Sequence, residues 1–151
     1  MYYKIVVPGP EPGTYLSCHG GTHTWTPGIT YGPVPVEPCS SGFHACRLRD
    51  LSLWLIAGMV VFEVELTGVS TTPDKVVGST AKLGRCLGTL TPEGMAEFAR
   101  RCAERAKEYA AANADAADAD AAYAAAYYAD AADAAERALQ GADILSLLVA
   151  S

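Results

Sequence analysis

Val60-Val61-Phe62-Glu63-Val64-Glu65-Leu66 decides the fold class. From Phe62 onward it alternates, with Phe62, Val64 and Leu66 on one side and Glu63 and Glu65 on the other. That period of two is the signature of a β-strand with one face buried. Tyr2-Tyr3-Lys4-Ile5-Val6-Val7 is aromatic and β-branched, is stopped by Pro8-Gly9-Pro10, and predicts a second strand. Asp74-Lys75-Val76-Val77 and Ala81-Lys82-Leu83 predict one or two more. Trp25-Thr26-Pro27-Gly28-Ile29-Thr30-Tyr31 predicts a turn at Pro27-Gly28 between short extended pieces. Val34-Pro35-Val36-Glu37-Pro38 is unfit for a central strand, because each proline removes a ladder donor. Asp50 before Leu51-Ser52-Leu53-Trp54-Leu55 predicts an N-cap and a short helix.

The second half has another chemistry. Thr91-Pro92-Glu93 supplies an N-cap, a proline at the first helical position and an early acid. The alanine-rich run that follows predicts a long helix over 92–140, or two helices, with Gly141 as the stop. At about 100° per residue, Phe98, Cys102, Tyr109, Tyr123 and Tyr127 form one stripe. Glu97, Glu104, Glu108, Asp115, Asp118, Asp130, Asp133 and Glu136 form another face with Arg101 and Arg137, and Asp120 falls near the aromatic stripe. The expected fold is therefore α+β. It has a small mixed or antiparallel sheet with one short helix in a domain over 1–90. An Ala-rich helical region over 91–151 packs on that domain, on another copy, or on both.

Composition narrows the function. Half of the 151 residues are apolar, enough for a core. The net charge of −6 falls entirely in 92–151, which argues against direct DNA or RNA binding. Neither the N-terminal apolar run nor Ile144-Leu145-Ser146-Leu147-Leu148-Val149 is long enough to span a bilayer, which predicts a soluble, cytoplasmic protein. Five cysteines, an odd number, point to reduced thiols.

Cys18-His19-Gly20-Gly21-Thr22-His23 and Cys39-Ser40-Ser41-Gly42-Phe43-His44 each run from cysteine to histidine at the same spacing. Cys18, His23, Cys39 and His44 or Cys46 have the right types for zinc, but no Cys-x2-Cys knuckle fixes a site. The plainer reading makes the cysteines small buried hydrophobes and leaves the protein without metal or cofactor. Cys46 with His44 is poor geometry for a nucleophile and its base if the two lie along one strand. The residues best suited to a small anionic ligand are Arg47, Arg49, Lys82 and Arg85 for charge, with Trp25, Tyr31, His44 and Trp54 for ring contacts.

Two resemblances add expectations. His19-Gly20-Gly21-Thr22, then Ser41-Gly42-Phe43-His44, then Glu63-Val64-Glu65 loosely resemble the order of motifs in ADP-ribosyltransferases, with an extra glycine and without the second half of that fold. A closer likeness runs over about residues 2–87. Cys18-His19-Gly20, the Trp25–Tyr31 turn, Cys39-Ser40-Ser41-Gly42-Phe43-His44-Ala45-Cys46, Phe62-Glu63-Val64-Glu65 and Asp74-Lys75-Val76-Val77 follow in an order that resembles a small uncharacterised domain of bacteriophage and prophage proteins. His23 stands near where that family more often has an aromatic residue. The resemblance implies a phage accessory protein acting in the host cytoplasm, and no particular activity. The expected role is non-enzymatic binding of a small ligand or a host protein. A nucleotide signal of host defence is one candidate ligand, and the 92–140 helix is expected to join copies. The alternatives are an ADP-ribosyltransferase-like enzyme or a self-assembling structural protein.

Overall fold

The computed structural model describes residues 1–18, 23–38, 40–56, 58–113 and 135–150. The protein is α+β. In chain order the strands are β1 (Tyr2–Pro8), β2 (Tyr15–Ser17), β3 (Thr24–Trp25), β4 (Thr30–Tyr31), β5 (Phe43–Ala45), β6 (Val60–Thr67), β7 (Ser70–Thr71), β8 (Val76–Gly78) and β9 (Thr80–Thr89). A 3-10 helix, Leu48–Trp54, separates β5 from β6. Helix α1 (Pro92–Asn113) follows β9, and residues 135–146 are again helical (α2). All strand pairs are antiparallel, in a six-stranded sheet of order β3-β2-β1-β6-β9-β4 and a three-stranded sheet of order β5-β8-β7.

The larger sheet is curled by its connectivity. Edge strands β3 and β4 are joined by only four residues, 26–29. Five strand spacings in a flat sheet put the edges about 24 Å apart, whereas that link reaches about 18 Å at full stretch. The edges must therefore bend toward each other. Gly28 N–H donates to Leu83 O (3.1 Å), and Thr26 N–H donates to the Tyr31 hydroxyl (2.8 Å). The concave side holds Val6, Trp25, Val60, Phe62, Val64, Ala81 and Leu83, so Phe62, Val64 and Leu66 face inward as their alternation requires.

The other side is covered by helices. Tyr3, Ile5, Met59, Val61 and Leu90 share one core with Leu51, Phe98 of α1 and Ile144 of α2, and Cys102 packs against it. Thr91 caps α1 through the Gly94 amide (3.1 Å). Tyr123 and Tyr127 of the expected aromatic stripe lie outside the described residues, as does the Tyr109 side chain. Arg101 meets Asp143 at 3.0 Å although 42 residues separate them, and Arg105 meets Glu136 at 2.9 Å. One straight helix would hold the first pair about 63 Å apart at 1.5 Å per residue, so α1 and α2 are two elements lying side by side. Burial pushes the Asp143 carboxyl up, but the hydrogen bonds and charges of Arg105 and Arg101 outweigh it and hold the group below the usual carboxylate range. Among the described residues no helix is long and apolar enough to cross a membrane.

Two expectations are corrected. Asp50 is not an N-cap. It lies inside the 3-10 helix, fully buried and paired with Arg47, while Arg47 occupies the cap position and makes no side-chain capping bond. Gly141 does not stop the helix. It sits within α2, where an added Cβ would lie 2.1 Å from Leu48 O. The glycine serves close approach of α2 to the 3-10 helix rather than chain reversal. Gly141→Ala must push these elements apart, and a loss of about 1–3 kcal/mol is expected from urea or thermal unfolding. An unchanged midpoint would show that the contact is not tight.

Candidate functional site

β1 holds its neighbours unequally. Along one edge it pairs with β6 from Tyr2 to Val6. Along the other it pairs with β2 only at Val6–Pro8, and with Cys46 through reciprocal bonds to Tyr3 (2.9 Å each). The chain beyond β2 and the end of β5 thus diverge across Lys4 and Ile5, and there Cys18 Sγ–H donates to Ile5 O (3.0 Å). A cavity of about 770 Å³ opens at this fork, within the usual range for small-molecule sites.

Lys4 is the unusual group in it. Its position on β1 points the stem inward beside Val6, and only 9% of the residue is exposed. The ammonium donates to His44 O (2.8 Å) and stands 5.1 Å from the centroid of the Trp25 ring. An ammonium has three donors, and among the described residues only this one acceptor meets them. No carboxylate lines the cavity among the described residues. Burial therefore lowers the amine from its ordinary 10.5 to about 8, against smaller opposing effects of Cys18 and Cys46. That displacement disfavours the buried ammonium by about 3 kcal/mol.

The wall opposite is aromatic. His23 packs edge-on against Trp25 (4.6 Å) and Tyr31 (4.5 Å), and Phe43 meets Trp25 at 5.6 Å. These rings come from the two edges of the large sheet and from β5, so they tie the sheets together while shaping the cavity. Trp25 is fixed by its indole N–H, which donates to Ser17 Oγ (2.7 Å). Burial, then the charge of Lys4, lower the His23 imidazole below its ordinary value, and its buried Nε2 has no hydrogen-bond partner among the described residues. His44 is lowered in the same order, with Lys75 adding to the effect. Gly42 (φ +104°) makes the turn into β5, where a Cβ would strike Val77 Cγ1 at 2.5 Å.

Of the expected ligand-binding residues, Trp25, Tyr31, His44 and Trp54 line this cavity. The four expected cations do not. Arg47 pairs with Asp50 and donates to Thr72 O and Pro73 O, pinning the 72–74 loop. Arg49 lies 3.8 Å from Asp50, Arg85 forms a two-pronged pair with Glu63, and Lys82 lies opposite Glu65 in the β6–β9 ladder. The cations at the cavity are Lys4 and Lys75, the latter 5.5 Å from the Trp54 ring centroid. The sequence held one clue to Lys4: a lysine with apolar neighbours at both one and two positions' distance lies in a strand buried on both faces.

Cys18, His23, His44 and Cys46 also line the cavity, while Cys39 lies outside the described residues. Among the described residues no three histidine, cysteine or acidic side chains gather as metal ligands. Cys46 Sγ–H points to Tyr3 O (3.6 Å), and burial pushes its thiol up to about 12. Burial raises Cys18 as well. Glu63 and Glu65, the acids of the transferase reading, alternate with the core residues of β6 and do not line the cavity. The chain matches no family model, no curated protein and no solved structure.

Replacing Lys4 by methionine removes the buried charge and leaves a side chain of similar length. Lys4→Met is expected to raise the unfolding free energy by up to about 3 kcal/mol, less about 1 kcal/mol for the lost bond to His44. The unfolded lysine holds its proton to higher pH than the folded one. The variant's advantage over the wild type is thus full below pH 8 and shrinks as pH rises from about 8 toward 10.5. Paired denaturant titrations across that range check the sign, and a gap that widens would contradict it.

Proposed function

We propose that this protein is a non-enzymatic binder of a small anionic ligand, held in the cavity at the β1 fork. The observation that carries this reading is the Lys4 ammonium: buried and, among the described residues, met by one acceptor and no carboxylate. An isolated buried charge is costly, and an anion brought in by a ligand supplies the missing counter-charge and fills the two open donors. The aromatic wall and Trp54 suit a ligand with a flat ring, which together with an anionic group describes a nucleotide.

In this reading the protein acts by sequestration, as a phage accessory protein in the host cytoplasm would act on a nucleotide signal. The alanine-rich segment over 92–140 is where copies would join. Calorimetry and thermal shift against linear and cyclic nucleotides, inorganic phosphate and simple aromatic carboxylates test the reading. At least one ring-bearing anion is expected to bind and raise the melting temperature. Lys4→Met is expected to weaken that binding about 10- to 100-fold, the worth of a charged hydrogen bond, while Arg85→Gln leaves it unchanged. Binding by no member of the panel, or equal binding by Lys4→Met, refutes the assignment.

A further inference from the structure

We propose that Lys4 is a carbonyl-capturing amine: an aldehyde or ketone drawn into the cavity condenses with its Nζ to form an imine. This inference rests on the binding site described above and specifies the chemistry of its ligand.

Three nucleophilic side chains line the cavity, Lys4, Cys18 and Cys46. Burial acts on them in opposite directions. It favours every uncharged form, so the thiols stay protonated and inert while the amine is brought toward its neutral, reactive form. Placement agrees with this. Nζ is held by one hydrogen bond to His44 O, and no acid in the described lining fixes it as an ion pair. The charged and titratable groups around Lys4 are therefore Cys18 beyond β2, Cys46 at the end of β5, and the imidazoles of His23 and His44, with Lys75 at His44.

The step balances without a further reactant. The lone pair of neutral Nζ attacks the carbonyl carbon, a C–N bond forms and the C=O π pair moves to oxygen, which takes up a proton. Loss of that oxygen as water leaves C=N, so ammonium and carbonyl become a protonated imine and water. The proton that the oxygen takes up is one that the nitrogen sheds on bonding to carbon. An anionic carbonyl compound, such as a 2-oxo acid or a phosphorylated aldehyde, would meet the positive charge before reacting with the neutral amine.

The probes are pyridoxal 5′-phosphate and glyoxylate, incubated with the full chain near neutral pH, reduced with borohydride and mapped by peptide mass spectrometry. An amine near 8 holds on the order of a hundredfold more neutral form than an ordinary lysine. At least one probe is therefore expected to mark Lys4 at least about tenfold faster than Lys75, Lys82 or Lys107, and faster than in urea. Lys4→Arg is expected to lose the adduct, and the wild type is expected to bind the carbonyl-free analogues pyridoxine 5′-phosphate and glycolate without being labelled. Should the wild type bind an analogue while neither aldehyde marks Lys4 selectively, the imine is refuted and the binding site stands. Failure of both analogues to bind and of both aldehydes to label overturns the two readings together.

Discussion

Everything in the molecule depends on how β1 is paired. Its bonds to β6 are continuous, but its outer edge is shared between β2 at one end and Cys46 at the other. A single long neighbour on that edge would have closed the sheet over Lys4. The split leaves a gap that the backbone alone cannot fill, and the two-residue strands β3 and β4 bend in to roof it with rings. Because only four residues join those strands, the curl is a requirement of chain length rather than a preference of side chains. The smaller sheet then leans on the fork through β5 and supplies the carbonyl that holds the Lys4 ammonium.

Desolvation is the dominant physical effect inside the fork. It raises Cys18 and Cys46 and lowers Lys4, His23 and His44, so each of these five moves toward its uncharged form. The helical side of the sheet works the other way. There Arg100, Arg101 and Arg105 meet Glu97, Glu104, Glu136 and Asp143 in a partly exposed network, where charges stay charged and neutralise one another. Such pairs add little stability singly, but they fix how α1 and α2 lie together. Acid–base pairing is thus concentrated on the helices, while the described lining of the cavity holds no acid.

The sequence disclosed what local rules govern. Strict alternation in Phe62–Leu66 and the Thr91-Pro92 start of α1 need only period and capping, and both appear in the fold. It concealed what depends on contacts remote in the chain. Arg47 looked available because nothing nearby in sequence shows that its guanidinium holds Thr72 and Pro73. Gly141 read as a terminator because glycine ends helices and also permits close packing, and only the approach of Leu48 distinguishes the two. Cys39-Ser40-Ser41-Gly42-Phe43-His44-Ala45-Cys46 stood out as a motif, yet its described part acts through backbone as much as side chain. His44 O holds Lys4, Cys46 N–H and C=O hold Tyr3, and Gly42 makes the turn that presents both. A motif whose working atoms are carbonyls and amides leaves no ligand-type signature in the sequence.

Lys4 itself bears on why the site exists. Its neighbours across the concave side are Val6, Phe62 and Trp25, a setting in which an apolar side chain would cost nothing and would spare the desolvation of an ammonium. The strand does not need the charge: β1 is held by its ladder to β6. Lys4 thus breaks a local rule, a buried charge standing where an apolar side chain would add to stability. Among the described residues no acid lines the cavity to neutralise Lys4, so within that lining the cost of the buried charge is not offset.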